Sequence, residues 1–125
     1  MSTWNPRTLE RIAAADELRI APRRSDGSLR KATTIWVVRD GDDLYVRSWR
    51  GAAGSWWNTA RESGTGHIAA GGEEADVAFT PTTDDTVNAQ VDAAYRAKYG
   101  RYTGYVEPMV ADQARATTLR LTPQQ

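Results

Sequence analysis

The segment Arg47-Ser48-Trp49-Arg50-Gly51-Ala52-Ala53-Gly54-Ser55-Trp56-Trp57 runs from a strand-like pattern, through small residues, into a helix-like one. Free backbone N–H groups and the dipole at a helix N-terminus favour an anion, and Arg47 or Arg50 could clamp one bidentately. Ser48 or Ser55 could add a hydrogen bond. The same residues would also serve a plain strand-to-helix turn, with arginines in solvent and tryptophans in a core. No Gly-Lys-Ser/Thr closes the segment, so it is not a Walker loop, and no Gly-x-Gly-x-x-Gly occurs anywhere.

Two other groupings could bind. Arg23-Arg24 and Arg30-Lys31 flank the turn Arg24-Ser25-Asp26-Gly27-Ser28, so paired strands would bring their charges together on a phosphate or carboxylate, or leave them at a solvated hairpin tip. Tyr95, Tyr99, Tyr102 and Tyr105 interleave with Arg96, Lys98 and Arg101. Tyr95 and Tyr99 share a helix face that could stack on a planar ring or cover one end of a barrel. His67 is the sole histidine and cannot make a multi-histidine metal site; a structural place on a strand edge suits it better. The acidic pairs Asp42-Asp43, Glu73-Glu74 and Asp84-Asp85 fall at turns or helix starts and read as caps, not catalytic dyads. No hydrolytic apparatus is visible.

The elements that must position these groups follow from periodicity. Asn5 caps a short helix with Pro6 at its first position, and Trp4 can staple onto Leu9. From Leu18 the pattern alternates as a strand, turns at 24–28, and returns from Leu29. Thr34-Ile35-Trp36-Val37-Val38 is apolar on both faces, as a central strand would be. Asp40-Gly41-Asp42 turns it into Leu44–Trp49. A helix runs from Ser55 to about Ser63, closed by Gly64. His67–Ala70 and Asp76–Phe79 form a hairpin across Gly71-Gly72. Thr82 and Asp85 suggest a capping box for a helix carrying Val87, Val91, Ala94 and Tyr95 and ending at Gly100. After a tyrosine-rich connection, Pro108 to Ala114 makes a helical turn, and Ala116 to Leu121 a last strand. The expected fold is mainly β: a small antiparallel barrel with peripheral helices, over 1–125 as one domain.

Composition narrows the classes. The 125 residues carry 16 cationic and 16 acidic side chains, which argues against nucleic acid or an acidic membrane as the main partner. Fourteen of the cations are arginine, the better fork for phosphates and carboxylates. The absence of cysteine excludes disulfides, thiolate catalysis and iron–sulfur clusters. No apolar run approaches a membrane span, and Met1-Ser2-Thr3-Trp4-Asn5-Pro6 is not a signal peptide, so a soluble, cytoplasmic protein is expected.

The stretches Ile20-Ala21-Pro22-Arg23-Arg24-Ser25-Asp26-Gly27, Ile35–Asp42, Leu44–Gly51 and Ser55-Trp56-Trp57-Asn58 resemble the flavin-binding split-barrel superfamily, especially its deazaflavin-dependent nitroreductase-like branch. With Tyr95–Gly100 and Ala116–Leu121, nearly the whole chain resembles a family of small bacterial proteins, common in actinobacteria, assigned to that superfamily. The resemblance implies a split β-barrel, FMN or deazaflavin as cofactor, hydride transfer to a small molecule, and a homodimer with the ligand at its interface. By matching positions it implies that Arg23, Arg24 and Ser25 approach the cofactor's phosphate tail, although Pro22 and Asp26 stand where the branch has glycines. Thr34, beside Thr33, falls next to the ring; Arg47, Ser48, Arg50 and Gly51 contact ring or phosphate; Trp57 (or Trp56) matches a tryptophan that opens the following helix. With that cleft in view, Trp57 and Tyr99 are expected to line the ring pocket. The alternative is a split barrel that binds a ligand or partner without redox chemistry.

Overall fold

The computed structural model describes residues 3–124; Met1 and Ser2, at the head of the N-terminal stretch read above, and Gln125 lie outside the described residues. Helix α1 (Pro6–Ala14) starts as expected: the Asn5 side chain accepts from the N–H groups of Arg7 and Thr8, and Pro6 occupies a position that needs no donor. Its buried Leu9 and Ile12 face the sheet, and Trp4 joins them, donating its indole N–H to Leu121 C=O at 3.0 Å.

Seven antiparallel strands form one sheet in the order β2-β1-β5-β6-β7-β4-β3, where β1 is Leu18–Pro22, β2 Thr33–Ile35, β3 Val38–Asp40, β4 Asp43–Val46, β5 Thr65–Ala70, β6 Glu73–Pro81 and β7 Leu119–Pro123. The edges are β2 and β3, yet Ile35 ends one and Val38 begins the other. Three residues span at most about 11 Å, whereas the outer strands of a flat seven-stranded sheet lie about 29 Å apart. The sheet therefore curls until its edges nearly meet, and the segment Thr33–Asp40 belongs to both.

This corrects the expectation of one central strand at Thr34–Val38. The segment is apolar on both faces because the chain switches edges there: Trp36 stacks flat on Tyr99, and Val37 is fully buried in the barrel core. Side chains satisfy the Val37 backbone in place of a ladder. Its N–H donates to the Tyr99 hydroxyl, and its C=O accepts from Lys98 Nζ at 2.8 Å. Lys98 Nζ also donates to Ala15 C=O at 2.6 Å, and its half-buried position lowers its pKa to about 8.

Helix α2 (Ser55–Ser63) packs on the barrel core through Trp56 and Ala60 and ends at Gly64, whose φ of 72° suits only glycine comfortably. Helices α3 (Asp85–Tyr99) and α4 (Thr103–Val110) cover β3 and β4 from outside. They build a second core of Val38, Tyr45, Val91, Tyr95, Tyr99, Val106, Met109 and Val110, and a single turn, α5 (Asp112–Arg115), leads back towards β7. Two local readings shift. The cap of α3 is Asp84, which accepts from Val87 N–H, because Thr82 is drawn to Thr118 C=O through its own N–H. The tyrosine-rich connection is helical: α4 starts before Pro108, whose ring costs it only one late hydrogen bond.

Candidate functional site

Strand β4 ends at Val46, and the chain then turns outward through Trp49 and Arg50, a 3₁₀ turn over Gly51–Ala53, and into α2. What fixes this loop is beneath it. The buried polar residues Arg47, Ser48, Asn88, Thr117 and Thr118 form one contiguous network. Arg47 Nε donates to Thr118 Oγ1 at 2.8 Å. Nη1 donates to Asp92 Oδ1 at 2.5 Å and to Met109 C=O at 2.9 Å, and Nη2 to the backbone and side-chain oxygens of Asn88. Asp92 is shared with Arg115. All five Arg47 donors are thus spent inside the chain. The anion clamp expected of Arg47 has no donor left; the residue is a fully buried post that ties β4 to α3, α4 and β7.

Above this post lies a cleft of about 520 Å³ between β2, the 48–56 loop and α4. Its walls include Trp36, Trp49, Trp56 and Tyr105, and its polar edge Thr33, Thr34, Ser48, Arg50 and Ser55. Trp49 and Tyr105 are exposed by 58% and 64%, unusual for side chains of this size. Trp36 is held from behind by Tyr99, with ring centroids 4.0 Å apart and planes 2° from parallel. Burial pushes the Tyr99 hydroxyl far up in pKa, so it stays a phenol and donates to Asp16 C=O at 2.8 Å.

The entrance to α2 carries unsatisfied hydrogen-bonding groups. Its cap residue is Gly54, with an ordinary φ of −66° and no side chain to accept from the first turn. A Cβ at Gly54 would overlap Ser48 Oγ, which explains glycine there. That Ser48 hydroxyl is buried and makes no hydrogen bond with any described residue. Orphan donors at a helix N-terminus beside a partnerless hydroxyl form a ready seat for an anionic oxygen. Arg50, exposed at the rim, makes no ion pair among the described residues.

A second cleft, of about 440 Å³, lies between the first hairpin turn and the flank of α2, lined by Arg23, Arg24, Ser25, Arg30, Thr59, Glu62 and Ser63. Of the residues expected at a site, Thr34, Arg47, Ser48 and Arg50 line the first cleft and Arg23, Arg24 and Ser25 the second. Gly51, Trp57 and Tyr99 line neither. Gly51 turns the chain at a φ of 60° against Gln113. Trp57 points a step round the helix from Trp56, donating to Thr117 C=O at 3.0 Å beneath the Arg61 guanidinium. Reading from sequence passed over Trp36 and Met109 as wall residues. Trp49 and Tyr105 fell within its candidate groupings without being assigned to the cleft, Trp49 as a large aromatic on the polar parity of its strand next to an arginine, Tyr105 as one of the tyrosines interleaved with cations. His67 lies outside both clefts, its Nδ1 and Nε2 each 3.0 Å from a carboxylate, Asp76 and Glu74 respectively. Among the described residues no cluster of histidines and acids could hold a metal ion, and no helix is long and apolar enough to cross a membrane.

Comparison with solved structures finds the same fold at low sequence identity. HutZ, the heme storage protein from Vibrio cholerae, superposes with a TM-score of 0.72 at 15% identity, over 100% of this chain and 92% of its own. A FAD-binding protein from Mesorhizobium loti gives 0.63 at 16% identity, over 98% and 92% of the two chains. An F420-H2 dependent reductase gives 0.62 at 12%, over 86% and 93%. These likenesses establish the split barrel as the fold. No curated protein sequence matches the chain. The model of the bacterial family described as "Uncharacterized protein conserved in bacteria (DUF2255)" matches residues 8–121, and the chain belongs to that family.

Proposed function

We propose that this split barrel binds a flavin or deazaflavin in the first cleft and uses it to reduce a small molecule. The observation that carries the reading is the meeting, in one cleft, of aromatic walls with an uncapped helix start, the partnerless Ser48 hydroxyl and the unpaired Arg50. A planar ring with an anionic arm matches those features together: the indoles and Tyr105 take the ring, and the N–H groups of α2 with Arg50 take a phosphate. When bound, the cofactor supplies the hydride chemistry, so the lack of a carboxylate, lysine or histidine in the cleft wall is no obstacle. Ser48 donates to the ring or phosphate, Thr34 borders the ring, and Trp36, backed by Tyr99, keeps water from one face. The neighbours named for heme suggest another planar ligand, but this chain's histidine is held by Glu74 and Asp76 away from the cleft.

Trp49 and Tyr105 at the mouth support a homodimer in which a second copy covers the ring site. Titration of the purified protein with FMN and, separately, with a deazaflavin, followed by tryptophan quenching, tests the reading. Saturable binding in the micromolar range or tighter is expected for one of them. Arg50→Ala should weaken it by about tenfold, the loss of one charge-assisted contact. Silence from both cofactors overturns the proposal. Binding without consumption of reduced cofactor across a panel of acceptors leaves the non-redox alternative.

A further inference from the structure

Two consecutive side chains at the end of α3 join the segments behind the first cleft. Lys98 Nζ donates to Ala15 C=O at 2.6 Å and to Val37 C=O at 2.8 Å. The Tyr99 hydroxyl accepts from Val37 N–H at 3.3 Å and donates to Asp16 C=O at 2.8 Å. The α1–β1 turn, the crossover between β2 and β3 and the end of α3 are thus tied together at one joint. Trp36 precedes Val37, stacks on Tyr99 and lines the cleft, so this joint sets its pose.

A lysine carries its charge poorly in this place. Among the described residues no carboxylate lies within 4.0 Å of its ammonium. Burial disfavours the charge, and the attraction of Asp16 on the α1–β1 turn opposes burial from further off. Asp16 is itself shared with Arg101 at 4.0 Å, and its neighbour Glu17 is exposed. The Tyr99 ring centre lies 5.1 Å from Nζ, a weak cation–π contact, and its phenol is neutral. The crossover brings Trp36 and Val37, neither of them ionisable. The two carbonyls use only two of the three ammonium protons, so an amine with two N–H donors still makes both bonds. Losing the third proton relieves a buried charge and breaks no bond. Free in water a lysine titrates near 10.4, and in the joint near 8. The closed joint therefore holds the proton less well than an opened one, and opening becomes harder as pH rises between those values.

We infer that Lys98 is the positioning residue of the Trp36 wall and couples that wall to a proton: the crossover is held most firmly when Lys98 is a neutral amine, and gaining a proton loosens it. The coupling is a property of the joint alone. That the wall meets a planar ligand rests on the function proposed above.

The experiment has two arms, both on the full chain. In the first, the isotope-labelled protein is titrated across the Lys98 transition by NMR without ligand, with signals assigned by sequential connectivity. The Trp36 indole signal should shift with the same midpoint as Lys98 Cε. Exchange of the Val37 amide, corrected for base catalysis, should slow by up to about tenfold per pH unit above that midpoint. Asp16→Asn removes the attraction that opposes burial and should move both midpoints to lower pH together. Lys98→Arg keeps the donors and a permanent charge, and should flatten the Trp36 profile. A Trp36 signal that ignores the Lys98 titration overturns the inference. So does one that persists in Lys98→Arg, which would trace it to the terminal amine that titrates in the same range. The second arm titrates FMN and, separately, a deazaflavin at pH 7. Lys98→Met leaves both carbonyls without their donor and should weaken binding by about tenfold, and Lys98→Arg should restore most of it. Equal affinity in wild type and Lys98→Met overturns the positioning role. Circular dichroism checks the fold of each variant, and the wild-type titration depends on none of them. A wild type that binds neither cofactor defeats the function proposed above, and the first arm then decides the coupling by itself.

Discussion

Ser48 carries a hydroxyl that the fold buries and leaves partnerless, a state that costs about 1–3 kcal/mol when no water or ligand relieves it. Ser48→Ala should therefore keep or raise the melting temperature while weakening cofactor binding severalfold. A parallel fall in both would make the serine a packing residue only. His67 makes a pH-dependent contribution. Hydrogen bonds to Glu74 first and Asp76 second raise its pKa above the usual 6.5. A raised folded pKa means stability that is fully present below the unfolded value and lost as pH rises through the folded one. The urea midpoint of wild type should thus exceed that of His67→Gln most clearly near pH 6, with the gap closing towards pH 9. The contribution is about 1 kcal/mol or less for so exposed a cluster, and a gap that does not vary with pH would exclude it. Arg47 and Arg50 show what sequence leaves unread at this scale. Both sit beside the same strand end, and their different fates depend on Asp92 and Thr118, which lie 45 and 71 positions from Arg47.

The join between β4, α3 and α5 is held by Asp92, which faces the fully buried Arg47 on one side and the half-exposed Arg115 on the other. Removing Asp92 strands a guanidinium without a counter-charge, so Asp92→Ala should cost about 3–5 kcal/mol. Arg115→Ala should cost about 1 kcal/mol or less, since its partner keeps Arg47. Chemical denaturation that found the two equal would show that the buried half of the triad has no special weight. Elements with local signals were legible beforehand: α1 from Asn5-Pro6, α2 from Gly64, and both the 40–43 and 70–73 turns. The break between β2 and β3 was not, because nothing local separates a strand from a run of strand-formers that changes edges. Its cause is the Trp36–Tyr99 stack and the Lys98 bond to Val37, made by residues more than 60 positions away.

Across the molecule, legibility followed the same rule. The antiparallel class and the curled sheet were accessible from strand spacing and from the resemblance; the cleft was not, since its walls come from β2, the 48–56 loop and α4 together. The proposed dimer is tested here. Trp49→Glu with Tyr105→Glu should turn a dimer into a monomer in sedimentation equilibrium without loss of secondary structure, whereas a wild type that is monomeric at micromolar concentration would refute it. The place of β7 has a further consequence. It follows every other strand in sequence, yet it lies inside the sheet between β6 and β4, and the Trp4 indole is bonded to its Leu121. During synthesis, then, β4 and β6 wait as separate halves with their inner edges bare until residues 119–123 emerge. Until then those edges are open to pairing with neighbouring nascent chains, and the late, long-range pairing of β7 with β4 is the kind of contact whose loop closure slows folding.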